Sequence, residues 1–239
     1  MKKSLCLLCV VVVVSGLCSS SAQALTPIGP PVATLDRGQF AAGFGYSHSS
    51  FDLKVSALGI TVIAEDQELD TYMANLCFGL DDAVELQIDL GANRYDDDDG
   101  NTSDDFAGGF GVKTTFAKQD KLEFGAAFMM HWYEASPSGE YLGIPWSEEN
   151  EWTEIQVAIG PCYKDGPWCL YGGPFLHFID GEGDANVGGF EFSGDFEEDS
   201  NFGGFVGFQV DLDDNTTFGF EYQQTGSANG LGANIRFKF

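Results

Sequence analysis

The sequence predicts an all-β chain: an up-and-down antiparallel β-barrel of about ten strands, with eight as the smaller alternative. Three observations predict it. Ten segments between residues 38 and 239 alternate apolar and polar residues with a period of two. The connections between those segments are short and long in turn. Glycine and charges of both signs gather on one face of the alternation, aromatic and aliphatic side chains on the other. Successive side chains of a strand point to opposite faces, so a period of two keeps one face apolar on a strand but not on a helix. The 31 glycines among 239 residues also disfavour helices, where each costs about 1 kcal/mol.

The elements follow in order. Residues 1–24 stand apart. Lys2 and Lys3, the apolar run Leu5 to Val14 and the triplet Ala22-Gln23-Ala24 form the three parts of a secretory signal peptide. The run ending at Leu17 is shorter than the ~20 residues of a spanning helix. Residues 25–37, with Pro27, Pro30 and Pro31, read as an extended lead-in. The barrel occupies 38–239. Its strands are 38–50, 66–79, 83–95, 106–118, 121–134, 151–163, 168–180, 201–212, 216–225 and 230–239. In the third, Val84, Leu86, Ile88, Leu90 and Ala92 alternate with Glu85, Gln87, Asp89, Gly91 and Asn93. The last behaves alike, with Leu231, Ala233, Ile235, Phe237 and Phe239 on its apolar face. Short turns lie at 80–82, 119–120, 164–167 and 213–215; the last of the intervening connections, near the hairpin dipeptide Asn229-Gly230, is the exception to their length. Long connections lie at 51–65, 96–105, 135–150 and 181–200.

Three cysteines follow the leader: Cys77, Cys162 and Cys169. An odd number leaves at least one thiol unpaired within the chain. Cys162 and Cys169 flank the turn Lys164-Asp165-Gly166-Pro167. They either bridge, as an oxidising compartment permits, or remain two small buried thiols.

Alternation alone does not say which face meets water. A soluble sandwich turns its apolar face inward; a membrane barrel turns it outward. Gly43, Gly45, Gly109, Gly111, Gly203 and Gly207 lie on the polar face, where a narrow lumen needs missing side chains and a solvated surface does not. Glu85, Asp89, Lys113, Glu123, Glu154, Glu221, Arg236 and Lys238 place charges of both signs in mid-strand on that face. Phe40, Tyr46, Phe116, Phe124, Trp132 and Phe218 ring the apolar face near the strand ends, which suits headgroup level. Together these favour a transmembrane barrel.

The segment Leu231-Gly-Ala-Asn-Ile-Arg-Phe-Lys-Phe239 resembles the terminal signal of Gram-negative outer-membrane β-barrels, and Gln39-Phe-Ala-Ala-Gly-Phe-Gly-Tyr46 is similar to the first strands of the small members. The resemblance implies the outer membrane of a diderm bacterium, a periplasmic lead-in at 25–37, and recognition of the last strand by the assembly machinery through Leu231, Ala233, Ile235, Phe237 and Phe239. It assigns no subfamily and no activity.

Chemistry is sparser. The lumen charges Glu85, Asp89, Lys113, Glu154, Glu221, Arg236 and Lys238 are expected to form a structural polar network, because an unpaired buried charge costs several kcal/mol. The expected pairs are Asp89 with Lys113, and Glu221 with Arg236 or Lys238. The sharper alternative is a narrow ion path. Acidic residues crowd the long connections: 96–99 with Asp104 and Asp105; Glu148, Glu149 and Glu151; Glu182, Asp184, Glu191, Asp195 and 197–199. Divalent cations are candidate partners there. Asp97-x-Asp99-Gly100 is no calcium hand, since Tyr95 and Phe106 stand at its first and twelfth positions. His131 and His177, with Glu134 or Asp180, would resemble proteolytic outer-membrane barrels. His48 and Ser50, with Glu68 or Asp70, would resemble outer-membrane lipid deacylases. No cofactor motif appears. The 37 acidic against 11 basic residues, a formal charge of −26, exclude a nucleic-acid partner. The expected role is structural or surface-interacting, with membrane lipid as the surroundings and no catalysis.

Overall fold

The computed structural model describes residues 25–57, 60–96, 102–141, 143–197 and 201–239. The leader at 1–24 and parts of the acidic runs, at 97–101 and 198–200, lie outside the described residues.

Among the described residues the chain forms twelve strands. They are β1 (Phe40–Ala57), β2 (Ile60–Asp81), β3 (Val84–Asp96), β4 (Thr102–Gln119), β5 (Leu122–Ala135), β6 (Ser138–Tyr141), β7 (Ile144–Asp165), β8 (Trp168–Val187), β9 (Phe190–Glu197), β10 (Phe202–Asp211), β11 (Thr216–Gln224) and β12 (Ala228–Lys238). Ten of them close a barrel in the order β1-β2-β3-β4-β5-β7-β8-β10-β11-β12, every pair antiparallel. The seam joins β12 to β1, from Ala41↔Lys238 to Phe51↔Ala228. These ten are the ten expected strands, but Asn229 and Gly230, expected at a hairpin turn, pair within β12, and the chain reverses at 225–228, where the Thr225 N–H donates to the Ala228 carbonyl.

The long connections differ from expectation. They are mostly continuations of the strands. β7 has 22 residues, about 70 Å at ~3.3 Å per residue, where a tilted membrane strand needs only about 9–11 residues. The excess carries the sheet beyond the apolar band. Two short strands join it there. β6 pairs with the start of β7, and β9 bridges the far end of β8 to the tip of β1. Backbone groups in these loops find partners in their own hairpins, so the alternation extends past the membrane instead of stopping at its edge.

The opposite ends of the strands turn tightly. Asp120 takes a positive φ of 49° between β4 and β5, and Gly166 one of 60° between β7 and β8. Aspartate and glycine tolerate that region, which lets two-residue connections match the sheet's twist.

The wall is inside-out relative to a soluble protein. On β3, Ile88 and Leu90 are more than half exposed, while Glu85, Asp89 and Asn93 are buried. Phe44, Leu76, Phe110, Ile159, Leu170, Val206 and Phe220 continue the exposed apolar band around the barrel. Leu231, Phe237 and Phe239 lie on it along β12, exposed, with Ala233 and Ile235 partly covered between them.

The largest correction concerns residues 25–36. Read as a lead-in outside the barrel, they lie within it. Leu25, Ile28, Val32 and Leu35 are each at most 3% exposed. The segment is an extended strap, running up the lumen from Asp36 beside Gly79, near the tight turns, to Leu25 beside Gly230 of β12. Its physical reason is the apolar spacing: four large hydrophobes in twelve residues find shelter from water in the lumen.

Candidate functional site

The lumen is where the chain gathers its chemistry, in three layers along the strap. In the lowest, Glu85 of β3 accepts the N–H (2.7 Å) and hydroxyl (2.8 Å) of Thr34 and takes the Arg236 guanidinium at 3.0 Å. Arg236 also donates to Gln87 Oε1 at 3.4 Å. Beside this layer, Thr115 of β4 accepts the N–H of Ala33 at 3.0 Å.

In the middle layer, Glu221 of β11 accepts the backbone N–H groups of Ile28 (2.8 Å) and Gly29 (2.9 Å). Gln223 Nε2 donates to Glu221 (2.7 Å) and to the Thr26 carbonyl (3.0 Å). The fully buried Lys113 ammonium faces Gly29; a Cβ at that glycine would stand 2.9 Å from Nζ.

In the upper layer, Glu154 of β7 accepts from His177 Nε2 (2.8 Å), Gln156 Nε2 (2.7 Å), Tyr133 OH (3.1 Å) and Thr26 Oγ1 (3.2 Å). The Thr26 hydroxyl also bonds Tyr133 OH. His131 lies between two carboxylates, with Nε2 3.2 Å from Asp89 and Nδ1 3.7 Å from Glu154. Asp89, His131, Glu154 and His177 thus form a continuous buried run. Trp152 stacks on Tyr133 above it, ring centroids 5.2 Å apart.

The structure places Glu85, Asp89, Lys113, Glu154, Glu221 and Arg236 inside the barrel; Lys238 is only half-buried, at the end of β12. The pairing differs from expectation. Lys113 stands opposite Glu85 in the ladder, and Asp89 stands opposite Gly109. The β3–β4 hairpin is centred two residues' worth of register away from the equidistance assumed for Asp89 and Lys113. Nor does Glu221 meet Arg236. Its ladder partner is Gly232, and its carboxylate is taken by the strap. Arg236 crosses the lumen to β3 instead.

The two hydrolase arrangements fare differently. His131 and Glu134 are three residues apart, as are His177 and Asp180, so alternation puts each pair on opposite faces. Both histidines point inward and are fully buried, while Glu134 and Asp180 are exposed. On the outer wall His48 Nδ1 does meet Asp70 Oδ1 at 3.0 Å, and Tyr46 OH donates to the same oxygen at 2.7 Å. Ser50 stands opposite Glu68. Among the described residues, His48 makes no hydrogen bond to Ser50, so the imidazole is oriented but joined to no nucleophile.

Cys162 and Cys169 are joined by a disulfide, with Cα atoms 6.3 Å apart across the β7–β8 turn; Cys77 is free and buried. Beyond the apolar band the outer face carries Glu134, Glu151, Glu182 and Asp195 in one cross-strand row over β5, β7, β8 and β9, all exposed.

The sequence matches no protein-family profile and no curated protein. Solved structures do share its shape. The translocator domain of the autotransporter NalP from Neisseria meningitidis superposes with a TM-score of 0.56 at 10% identity, covering 86% of this chain and 90% of that one. The fold is that of an outer-membrane β-barrel. The outer membrane protease OmpT of Escherichia coli overlaps less well, with a TM-score of 0.47 at 9% identity, covering 84% of this chain and 97% of that one. The exposed apolar wall of this barrel, continuous around ten strands, puts lipid against it.

Sequence reasoning missed the strap. Two signals pointed to it: hydrophobes at 25, 28, 32 and 35 in a stretch without strand alternation, and Gly230 and Gly232 on the inward face of β12, where Leu25 and Pro27 now sit.

Proposed function

We propose that this barrel is a closed, non-enzymatic outer-membrane scaffold that presents an acidic collar to cations or basic surfaces outside the cell. The observation that carries the reading is the occupied lumen. The strap and the three polar layers fill the space through which solute would pass. The collar supports the second half of the reading. Four carboxylates directly opposite one another across strands repel, and such a surface attracts cations and repels anionic partners. Lipid surrounds the apolar band, and the exposed side of β12 is the surface on which the assembly machinery would act.

Planar-bilayer recording of the refolded chain from Leu25 tests the closed state. The expected result is conductance near that of the bare bilayer. Large, stable single-channel steps from the intact chain would favour a pore and overturn this reading.

A further inference from the structure

The strap fills the lumen without belonging to the wall. The ten-stranded ladder closes without it. All of its bonds to the barrel are made through wall side chains, and among the described residues none reaches β1 or β2. Pro27, Pro30 and Pro31 have no N–H to satisfy, so the strap needs few partners to sit in the lumen and strands few groups on leaving it.

The flank it leaves unbonded is hollow. A cavity of about 40 Å³ lies between the strap and the arc β12-β1-β2-β3-β4, lined by Ser47, Thr71, Asn75, Gln87 and Lys113 among others. Thr71 is 1% and Asn75 7% exposed, yet Thr71 Oγ1 and Asn75 Oδ1 have no hydrogen-bond partner. No carboxylate comes within ion-pairing distance of Lys113 among the described residues. Buried polar groups are normally bonded to protein or water, and this volume accommodates water. The strap is therefore flanked, beside Thr26 to Pro30, by a polar void that admits water.

The charge behind the strap has a sign. Glu85, Asp89, Glu154 and Glu221 are buried there against two basic side chains, Lys113 and Arg236. Three of the four carboxylates also hold the strap, so its departure frees them to face the passage.

We propose that the strap is a displaceable gate over a passage for small monovalent cations: the barrel is closed while residues 25–35 are seated and conducts when they leave. The vacated space has the width of an extended peptide, and its lining concentrates cations over anions.

Three forms in planar bilayers under a potassium chloride gradient test this: the chain from Leu25, a chain from Arg37 lacking the strap, and a Leu25→Cys/Gly230→Cys chain with Cys77→Ser. Leu25 Cβ lies 2.8 Å from where a Cβ on Gly230 would stand, so the end of the strap must back off by about 1 Å to reach the ~3.8 Å Cβ separation of a disulfide. The strapless chain is expected to conduct, with a reversal potential giving potassium a preference over chloride of roughly ten-fold. The oxidised clamp is expected to be silent. Should the strapless chain fail to refold, Glu221→Ala in the full chain removes the acceptor of two strap N–H groups, and its conductance should rise and be abolished by the clamp. A folded strapless or Glu221→Ala barrel that stays silent overturns the gate. Chloride preference overturns the cation passage, and conduction that survives the clamp overturns the strap's part in it. Leakage from the intact chain that the clamp abolishes overturns the closed resting state but supports the gate, whereas leakage that the clamp leaves unchanged overturns both.

Discussion

Glu85 and Arg236 meet at 3.0 Å across the floor of the lumen, although β1 and β2 separate their strands in the wall. The contact ties together two strands three apart in the wall and holds Thr34 of the strap between them. Glu85 is fully buried, so its charge depends on this partner. Arg236→Leu should lower stability by about 3–5 kcal/mol, as removal of one member of a buried pair does. Joint replacement of Glu85 and Arg236 by methionine should cost less than the single change. Urea unfolding followed by heat-modifiable gel mobility measures both, and equal losses would contradict the pairing.

Gly232 lies under Pro27, and a side chain there would occupy the proline ring's position. Gly232→Val should push the upper strap from its seat while leaving the wall ladder intact, at a cost of about 1–3 kcal/mol for overpacking. A cysteine introduced at Thr26 should be shielded from a soluble maleimide in the parent and reactive in the Gly232→Val barrel. Unchanged protection would place the strap elsewhere.

The Cys162–Cys169 bridge closes a short loop, seven residues apart in sequence. Its loss through Cys162→Ser with Cys169→Ser should cost about 2 kcal/mol on the chain-entropy account. Cys77, being buried, should react with iodoacetamide only after unfolding. Mass spectrometry of the chain from Leu25 should show no adduct when it is alkylated folded, and one adduct when it is unfolded without reduction.

Asp213 lies in the turn between β10 and β11 and accepts the N–H groups of Asn215 (2.8 Å) and Thr216 (2.7 Å). The Asn215 N–H foremost, with Thr216, holds its carboxyl below the ordinary carboxylate range. A depressed carboxyl stabilises the fold above its unfolded pKa, and that contribution is lost as pH falls through the lower folded value. Asp213→Ala should therefore be less stable than the parent at neutral pH. The difference should vanish on acidification below about 3.9, the ordinary aspartate value. A difference unchanged by pH would argue against these hydrogen bonds.

An epitope inserted at Gly183, on the strand extension, should be accessible to antibody on intact cells, whereas insertions at Asp120 or Asp214 should need permeabilisation. The reverse pattern would invert the barrel in its membrane.

Alternation made the wall legible. On β3 the inward set Glu85, Gln87, Asp89 and Asn93 and the outward set Leu86, Ile88 and Leu90 follow directly from a period of two. It also excludes His131 acting with Glu134, since an odd separation reverses the face. Register was harder to read. Turn position decides whether Lys113 faces Asp89 or Glu85, and the continuing pairs Arg94↔Asp104 and Tyr95↔Ser103 show the hairpin extending where a loop was expected. The strap escaped because its prolines obey neither strand nor helix period. What fixes it is tertiary: Glu221 and Glu85 are used by a segment nearly two hundred and about fifty residues away along the chain, separations of 193 and 51.

Those separations set an order of events. The strap's bonds to Glu221 span 192 and 193 residues, and that from Arg236 to Thr34 spans 202. The seam between β1 and β12 likewise joins the two ends of the barrel sequence. Contacts so distant along the chain form late, because loop-closure entropy is lost before they return anything. The first residues of the strap therefore wait on the last strands of the barrel, and the interior is completed in the same slow step that shuts the cylinder.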